Sequence, residues 1–172
     1  MAPRPAGRCI ALAPACAGAR IVSGMNPTRT FRTATTVDAL NAQSRGTAME
    51  PLGIVFTEVG ADYLRATMPV DARTHQPYGL LHGGASVLLA ETLGSTAGML
   101  CVGEGQGVVG IEINANHLRG VRSGTVTGTV RPIHVGRSTQ VWDIRIEDGD
   151  GRAVCVSRLT VAVIDLPRDA PR

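Results

Sequence analysis

Between residues 139 and 147 apolar and polar side chains alternate: Trp142, Ile144 and Ile146 oppose Asp143, Arg145 and Glu147. A period of two is that of a strand with one buried and one wet face. Runs at 53–59 and 63–70, separated by Gly60-Ala61-Asp62, read as a hairpin. Three further strand-like runs, 108–117, 125–131 and 153–164, are spaced by Ser123-Gly124, by Pro132 and Gly136, and by Asp148-Gly149-Asp150-Gly151. Between the hairpin and the last four strands the period changes. Residues 83–100 form the one long helical segment, weakly polar from Ala85 to Leu100 and closed by Gly103. Thr36-Val37-Asp38-Ala39-Leu40 reads as a short capped helix. This order predicts an α+β domain in which an antiparallel sheet of about six strands wraps one long central helix and so buries it.

The pattern stops upstream of residue 35. Residues 1–34 are rich in Ala, Pro, Gly and Arg with no periodicity and read as a tail, 35–166 as the domain, and 167–172 as a second tail. Arg4 and Arg8 ahead of 9–19 imitate a secretory signal, but Pro14 interrupts the apolar stretch; a mitochondrial-type presequence and a true start at Met25 are the other readings. The tail also distorts the charge. Of 17 basic residues, all arginine, five lie in the first 35 positions with no acid; the remaining twelve face all 14 acids, net −2. A general nucleic-acid surface is therefore not indicated, and five aromatic residues leave few platforms for stacking bases. Cys9, Cys16, Cys101 and Cys155 show neither C-x-x-C nor zinc-type spacing, so no metal and no disulfide framework is expected, and a reducing cytoplasm is the default. The segment 85–100 is too short to cross a membrane and carries Glu91 near its middle.

Glu91 is the anomaly of the helix. At i+4 from Val87 and i+3 from Leu88 it shares a stripe with apolar residues, where a lone carboxylate is costly unless partnered or able to reach water. Ahead of it, His82-Gly83-Gly84 places two residues without side chains at the helix start, where free N–H groups and the dipole favour a developing oxyanion. Each feature has an ordinary reading as well: Gly-Gly as a turn, His82 as a turn histidine, Gln76 before Pro77 as a loop residue. Ser95, one turn past Glu91, could bond the carboxylate or, more commonly, its own helix backbone.

Together these residues carry a resemblance. The stretches Ala66-Thr-Met-Pro-Val-Asp, Gln76-Pro-Tyr-Gly-Leu-Leu-His-Gly-Gly-Ala-Ser, Val109-Gly-Ile-Glu-Ile-Asn-Ala-Asn-His and Gln140-Val-Trp resemble the hotdog-fold acyl-CoA thioesterases over 37–164. Within these the chain resembles the 1,4-dihydroxy-2-naphthoyl-CoA hydrolases of menaquinone biosynthesis and the proofreading thioesterases of enterobactin biosynthesis. The resemblance implies that Glu91 is the catalytic carboxylate, as nucleophile or general base. Gly83 would supply the oxyanion N–H with help from His82, Gln76 would position the thioester carbonyl, and Ser95 would orient the carboxylate or water. Gly110, the segment His117, Leu118, Arg119 and Gly120, and the segment His134, Val135, Gly136, Arg137, Ser138 and Thr139 would hold coenzyme A. Gly120 stands where a serine is common, and 137–139 departs from the nearest relatives. The implied partner set is an acyl-CoA substrate, no nucleic acid, no membrane and a homo-oligomer, a dimer of dimers with the active site at the dimer interface. No separate cofactor is implied, because CoA is part of the substrate. A hotdog dehydratase would need a differently placed His and acid, and a non-catalytic acyl-CoA-binding regulator would have no use for Glu91.

Overall fold

A computed structural model describes residues 30–167; the predictions for 1–29, including Cys9 and Cys16, and for 168–172 fall outside the described residues. The elements, in chain order, are α1 (Val37–Gln43), α2 (Met49–Leu52), β1 (Val55–Val59), β2 (Leu64–Val70), α3 (Gly83–Met99), β3 (Gln106–His117), β4 (Gly124–Val135), β5 (Thr139–Glu147) and β6 (Ala153–Asp165). Thr36 caps α1, its hydroxyl accepting the Ala39 N–H, as the sequence predicts. The six strands form one antiparallel sheet in the order β1-β2-β4-β5-β6-β3, so the hairpin strand β1 and the long strand β3 are its edges. No described helix is long and apolar enough to cross a membrane.

The sheet's inner face closes on α3. Ala85, Ser86, Leu89, Ala90, Leu93, Gly94, Ala97 and Gly98 are the buried residues of the helix, pairs of neighbours spaced by four, which is a stripe along one side. Opposite them lie Leu64, Ala66 and Met68 of β2, Val126 and Val130 of β4, Trp142, Ile144 and Ile146 of β5, and Cys155, Leu159 and Val161 of β6. The approach is close enough to need glycine. A Cβ on Gly94 would lie 2.5 Å from Leu159 Cδ2, and one on Gly128 would lie 2.6 Å from Leu93 Cδ1. Gln140 is the largest polar side chain in this core. Its amide donates to the Gly98 carbonyl at 3.5 Å and its Oε1 accepts the Trp142 indole N–H at 3.2 Å, so both buried polar groups are matched.

Besides small shifts at strand ends and the short helix α2, two departures from the pattern stand out. The sequence ends the fourth strand at 131, before Pro132, whereas β4 continues to Val135. Pro132 pairs with Trp142 and the register then shifts past Ile133 to His134, so Pro132 lies at a β-bulge, a position where proline is tolerated within a sheet. Residues 31–33, which composition puts in the tail, also pack on the domain: Phe31 is 3% exposed, and the Arg32 and Thr33 N–H groups both donate to the Leu100 carbonyl. A lone aromatic has no period to reveal it. Truncating Phe31→Ala should therefore cost about 3 kcal/mol, read as a fall in thermal midpoint of roughly 6–12 °C; an unchanged midpoint would show that the segment adds nothing to the fold.

Candidate active site

The loop from 71 to 82 enters the first turn of α3 by a series of local bonds. Thr74 is buried and its hydroxyl donates to the Pro69 carbonyl, while its own carbonyl accepts the His82 N–H at 2.8 Å. Asp71 takes the Arg73 N–H and guanidinium, and Arg73 holds its carboxyl down at about 2, below the ordinary carboxylate value. Because that value is lowered on folding, what Asp71 adds to the loop is complete above about pH 4 and lost only as the pH falls towards 2. Gln76-Pro77-Tyr78-Gly79 is a turn closed by Gly79 N–H to the Gln76 carbonyl at 2.9 Å, with Pro77 presetting φ and Gly79 at φ +70°. The Gln76 Oε1 accepts the Tyr78 N–H, which leaves its amide N–H₂ as the group it presents outward.

At the helix start, His82 Nδ1 accepts the Gly84 N–H at 2.8 Å. That bond places the ring proton of the neutral imidazole on Nε2, where it can be donated to an incoming oxygen. The Ala85 and Ser86 N–H groups bond the His82 carbonyl, so among the described residues Gly83 has the one N–H of this turn without an acceptor. His117, at the far end of β3, covers the same spot: a Cβ on Gly83 would lie 2.8 Å from its Nε2. Gly120 approaches Leu80 in the same way, and Leu118 N–H bonds the Val154 carbonyl, so 117–120 lies against the 76–84 loop. Sequence reasoning missed two residues that fasten this junction: the His75 Nε2 meets the Arg122 carbonyl at 2.9 Å, and Arg122 donates to the Tyr78 carbonyl at 3.3 Å. Neither contact leaves a motif in the chain.

Glu91 lies elsewhere. It is exposed in the protomer, beside the buried stripe of α3 and on the side of the half-buried Val87 and Leu88, so of the two readings open from the sequence the carboxylate is the one that reaches water. Its Oε1 is 3.0 Å from the point that a Cβ on Gly110 would occupy, so the carboxylate rests on the bare backbone of the edge strand β3. The half-buried Ser95 makes neither of the bonds expected of it, to the carboxylate or to its own helix. Eight residues separate Gly83 from Glu91, about 12 Å along a helix axis. The third group, 134–139, is the β4–β5 turn, closed by Gly136 N–H to the Thr139 carbonyl, and it lies at the Gln106 end of β3, because Thr139 pairs with Ala162 and Ala162 with Val109. His117 is at the other end, eight residues from Val109 and roughly 25 Å away along a strand. One protomer therefore does not bring the predicted residues together.

A model of the thioesterase superfamily matches residues 78–155. The proofreading thioesterase EntH of Cronobacter sakazakii is 59% identical over 129 residues, covering 75% of this chain and 94% of that protein. The chain belongs to the thioesterase superfamily. The 1,4-dihydroxy-2-naphthoyl-CoA hydrolase of Escherichia coli is 56% identical over 129 residues, covering 75% of this chain and 95% of that one. The crystal structure of the thioesterase HI1161 from Haemophilus influenzae superposes with a TM-score of 0.79 at 51% identity, covering 83% of this chain and 99% of that chain. The fold is the hotdog fold and the protein is a thioester hydrolase.

Among the thioesterase's described side chains, thiols are poor candidates for its nucleophile. Cys101 and Cys155 are buried, and burial raises both thiols, Cys101 to about 11. Their alkylation by iodoacetamide at pH 8, followed by peptide mapping, should be slow in the native protein and fast after unfolding, with the native Cys101 rate climbing only as the pH nears 11. Rapid native labelling at pH 8 would show that a thiolate is available.

Proposed function

We propose that this thioesterase hydrolyses an aromatic acyl-CoA, with 1,4-dihydroxy-2-naphthoyl-CoA the favoured substrate, in a site formed between two copies of the chain. The observation that carries this reading is the division of the site: an unused Gly83 N–H beside His82 at one end, and the Glu91 carboxylate on Gly110 about 12 Å away. These groups are too far apart to act on one carbonyl from a single copy. The edge strand β3 supplies the means of joining them. It is twelve residues long, pairs among the described strands with β6 alone, and exposes Val109 and Ile111. A long apolar edge favours pairing with another strand, and antiparallel pairing about its middle would set the His117 and Gly83 end of one copy beside the Glu91 and 134–139 half of the other. This is the arrangement implied by the resemblance, with a dimer of dimers built on it.

In that site the Gln76 amide and the His82 Nε2–H orient the thioester oxygen towards the Gly83 N–H. The partner's Glu91 either takes a proton from water, whose oxygen attacks the carbonyl carbon, or attacks that carbon itself to give an anhydride that water then opens. In both routes the C=O electrons move to the oxyanion held at the helix start and return to expel the thiolate. A thiol with a pKa of roughly 8.5 leaves without a strong general acid, so one carboxylate and one oxyanion site are sufficient. In this reading Ser95 orients the carboxylate or the attacking water.

The identity of the relatives supports a second substrate class. EntH, at 59% identity, is named a proofreading thioesterase, so acyl groups on carrier proteins belong in the same test. On a panel of aryl-CoA, fatty acyl-CoA and acyl-carrier thioesters, the aryl-CoA should give the highest kcat/KM; a preference for the carrier-bound thioester would favour the second class.

Glu91→Gln keeps the shape and removes the proton acceptor, so kcat should fall by on the order of 10² to 10⁴. Stability should change by less than about 0.5 kcal/mol, because the side chain is exposed in the protomer. Wild-type turnover in this variant would sink the mechanism. Mixing inactive Glu91→Gln with inactive Gln76→Ala subunits should restore about one quarter of the wild-type rate, since half of the reassembled dimers are mixed and each mixed dimer rebuilds one intact site. No recovery, with exchange of subunits verified by mass, would place the whole site in one copy.

A further inference from the structure

A cavity of about 380 Å³ opens at the C-terminal end of α3, between the 31–33 segment and the β4–β5 turn, lined by Arg32, Cys101, Gln106, Arg137 and Gln140 among others. Among the described residues no acidic side chain lines it. The six ion pairs of the described residues engage Arg65, Arg73, Arg131, Arg145 and Arg152; Arg32 and Arg137 have no ion-pair partner among the described residues. Two guanidinium groups without an acidic partner among the described residues thus border one cavity, and they come from segments over a hundred positions apart. Arg137 lies in the segment that the resemblance assigns to CoA. Arg32 belongs to no motif.

The backbone holds Arg32 in place. Its N–H and that of Thr33 both donate to the Leu100 carbonyl, at 2.8 and 3.1 Å, and Phe31 beside it is buried. The end of a helix would by itself repel an anion, but here its terminal carbonyl is already occupied by two N–H donors. Leu100 is nine residues past Glu91, about 14 Å along the axis. A pantetheine arm, comparable to four or five extended residues, spans roughly 15 Å. The arm of a thioester whose carbonyl sits at Glu91 is therefore long enough to bring its phosphate end to this cavity.

We propose that Arg32 joins Arg137 as a phosphate clamp for the pantetheine-bearing end of the substrate, making Arg32 a binding residue of the thioesterase; this rests on the reading of the protein as an acyl-CoA thioesterase. The phosphate could be the 3′-phosphate or diphosphate of CoA, or the single phosphodiester of a carrier-bound phosphopantetheine, and the ligands of the test separate these. Wild type, Arg32→Ala and Arg32→Lys are titrated calorimetrically with CoA, dephospho-CoA, 4′-phosphopantetheine and pantetheine, and assayed with an acyl-CoA. Arg32→Ala should weaken CoA about five- to twentyfold and raise KM by a similar factor with a smaller effect on kcat, with partial recovery in Arg32→Lys. A loss confined to CoA assigns the 3′-phosphate; one shared by CoA and dephospho-CoA but not 4′-phosphopantetheine assigns the diphosphate; one shared by all three assigns the phosphate next to the pantetheine arm. Unchanged CoA affinity in Arg32→Ala overturns the proposal. So does an equal loss for pantetheine, which carries no phosphate and would report a disturbed fold. A wild-type protein that binds CoA but turns over no acyl-CoA overturns the functional reading alone, and the titrations still decide the clamp.

Discussion

The central helix can be enclosed by the sheet only because backbone meets side chain where Cβ atoms would not fit. Gly94 and Gly98 on α3 and Gly128 on β4 each stand where a methyl group would come within 3.0 Å of Leu159, Gln140 or Leu93. These close approaches set the depth at which α3 lies and hence which of its residues are left outside. Leu89, Ala90, Leu93 and Ala97 turn into the sheet and are fully buried. Glu91, Thr92, Ser95 and Met99 then fall on the side facing the β3 edge or open to solvent. Interior packing of this density tolerates little adjustment, so the position of the carboxylate is a by-product of the core.

The same packing separates the two halves of the proposed site. The helix start, with its dipole and its unused Gly83 N–H, is fixed over the His117 end of β3, and the carboxylate is fixed over Gly110 near the strand's middle. Within a rigid helix that spacing cannot close. A fold that places a free helix-start N–H and a carboxylate at different levels of one helix, beside a sheet edge, suits the proposed site between two copies. It also keeps each half simple. Neither Glu91 nor Gly83 needs a special backbone conformation, and the described residues contain no non-glycine residue at positive φ.

Much of this was legible in the chain. The period of two from 139 to 147, the long weakly polar segment from 83 to 100 and the Gly-Asp turns between strands determine the element order and the α+β class, because burial of one sheet face and enclosure of one helix leave few other arrangements. His82-Gly83-Gly84 and Glu91 were identifiable as candidates from helix-end physics and from the cost of a carboxylate among apolar neighbours. What the tertiary structure alone decided is which residues meet. Phe31 and Arg32 have no period and no motif, yet they close the end of α3. Pro132 reads as a strand end, yet a bulge carries β4 past it. Helical spacing puts Glu91 on a stripe with Val87 and Leu88 and leaves open whether it is partnered or wet; it lies exposed beside the core stripe, because the depth of α3 is set by glycines on two elements remote in sequence. Local sequence encodes the torsional and burial preferences of each element, whereas the distance between His117 and Gly83, or Arg32 and Arg137, depends on how those elements pack, a long-range property that no single segment carries.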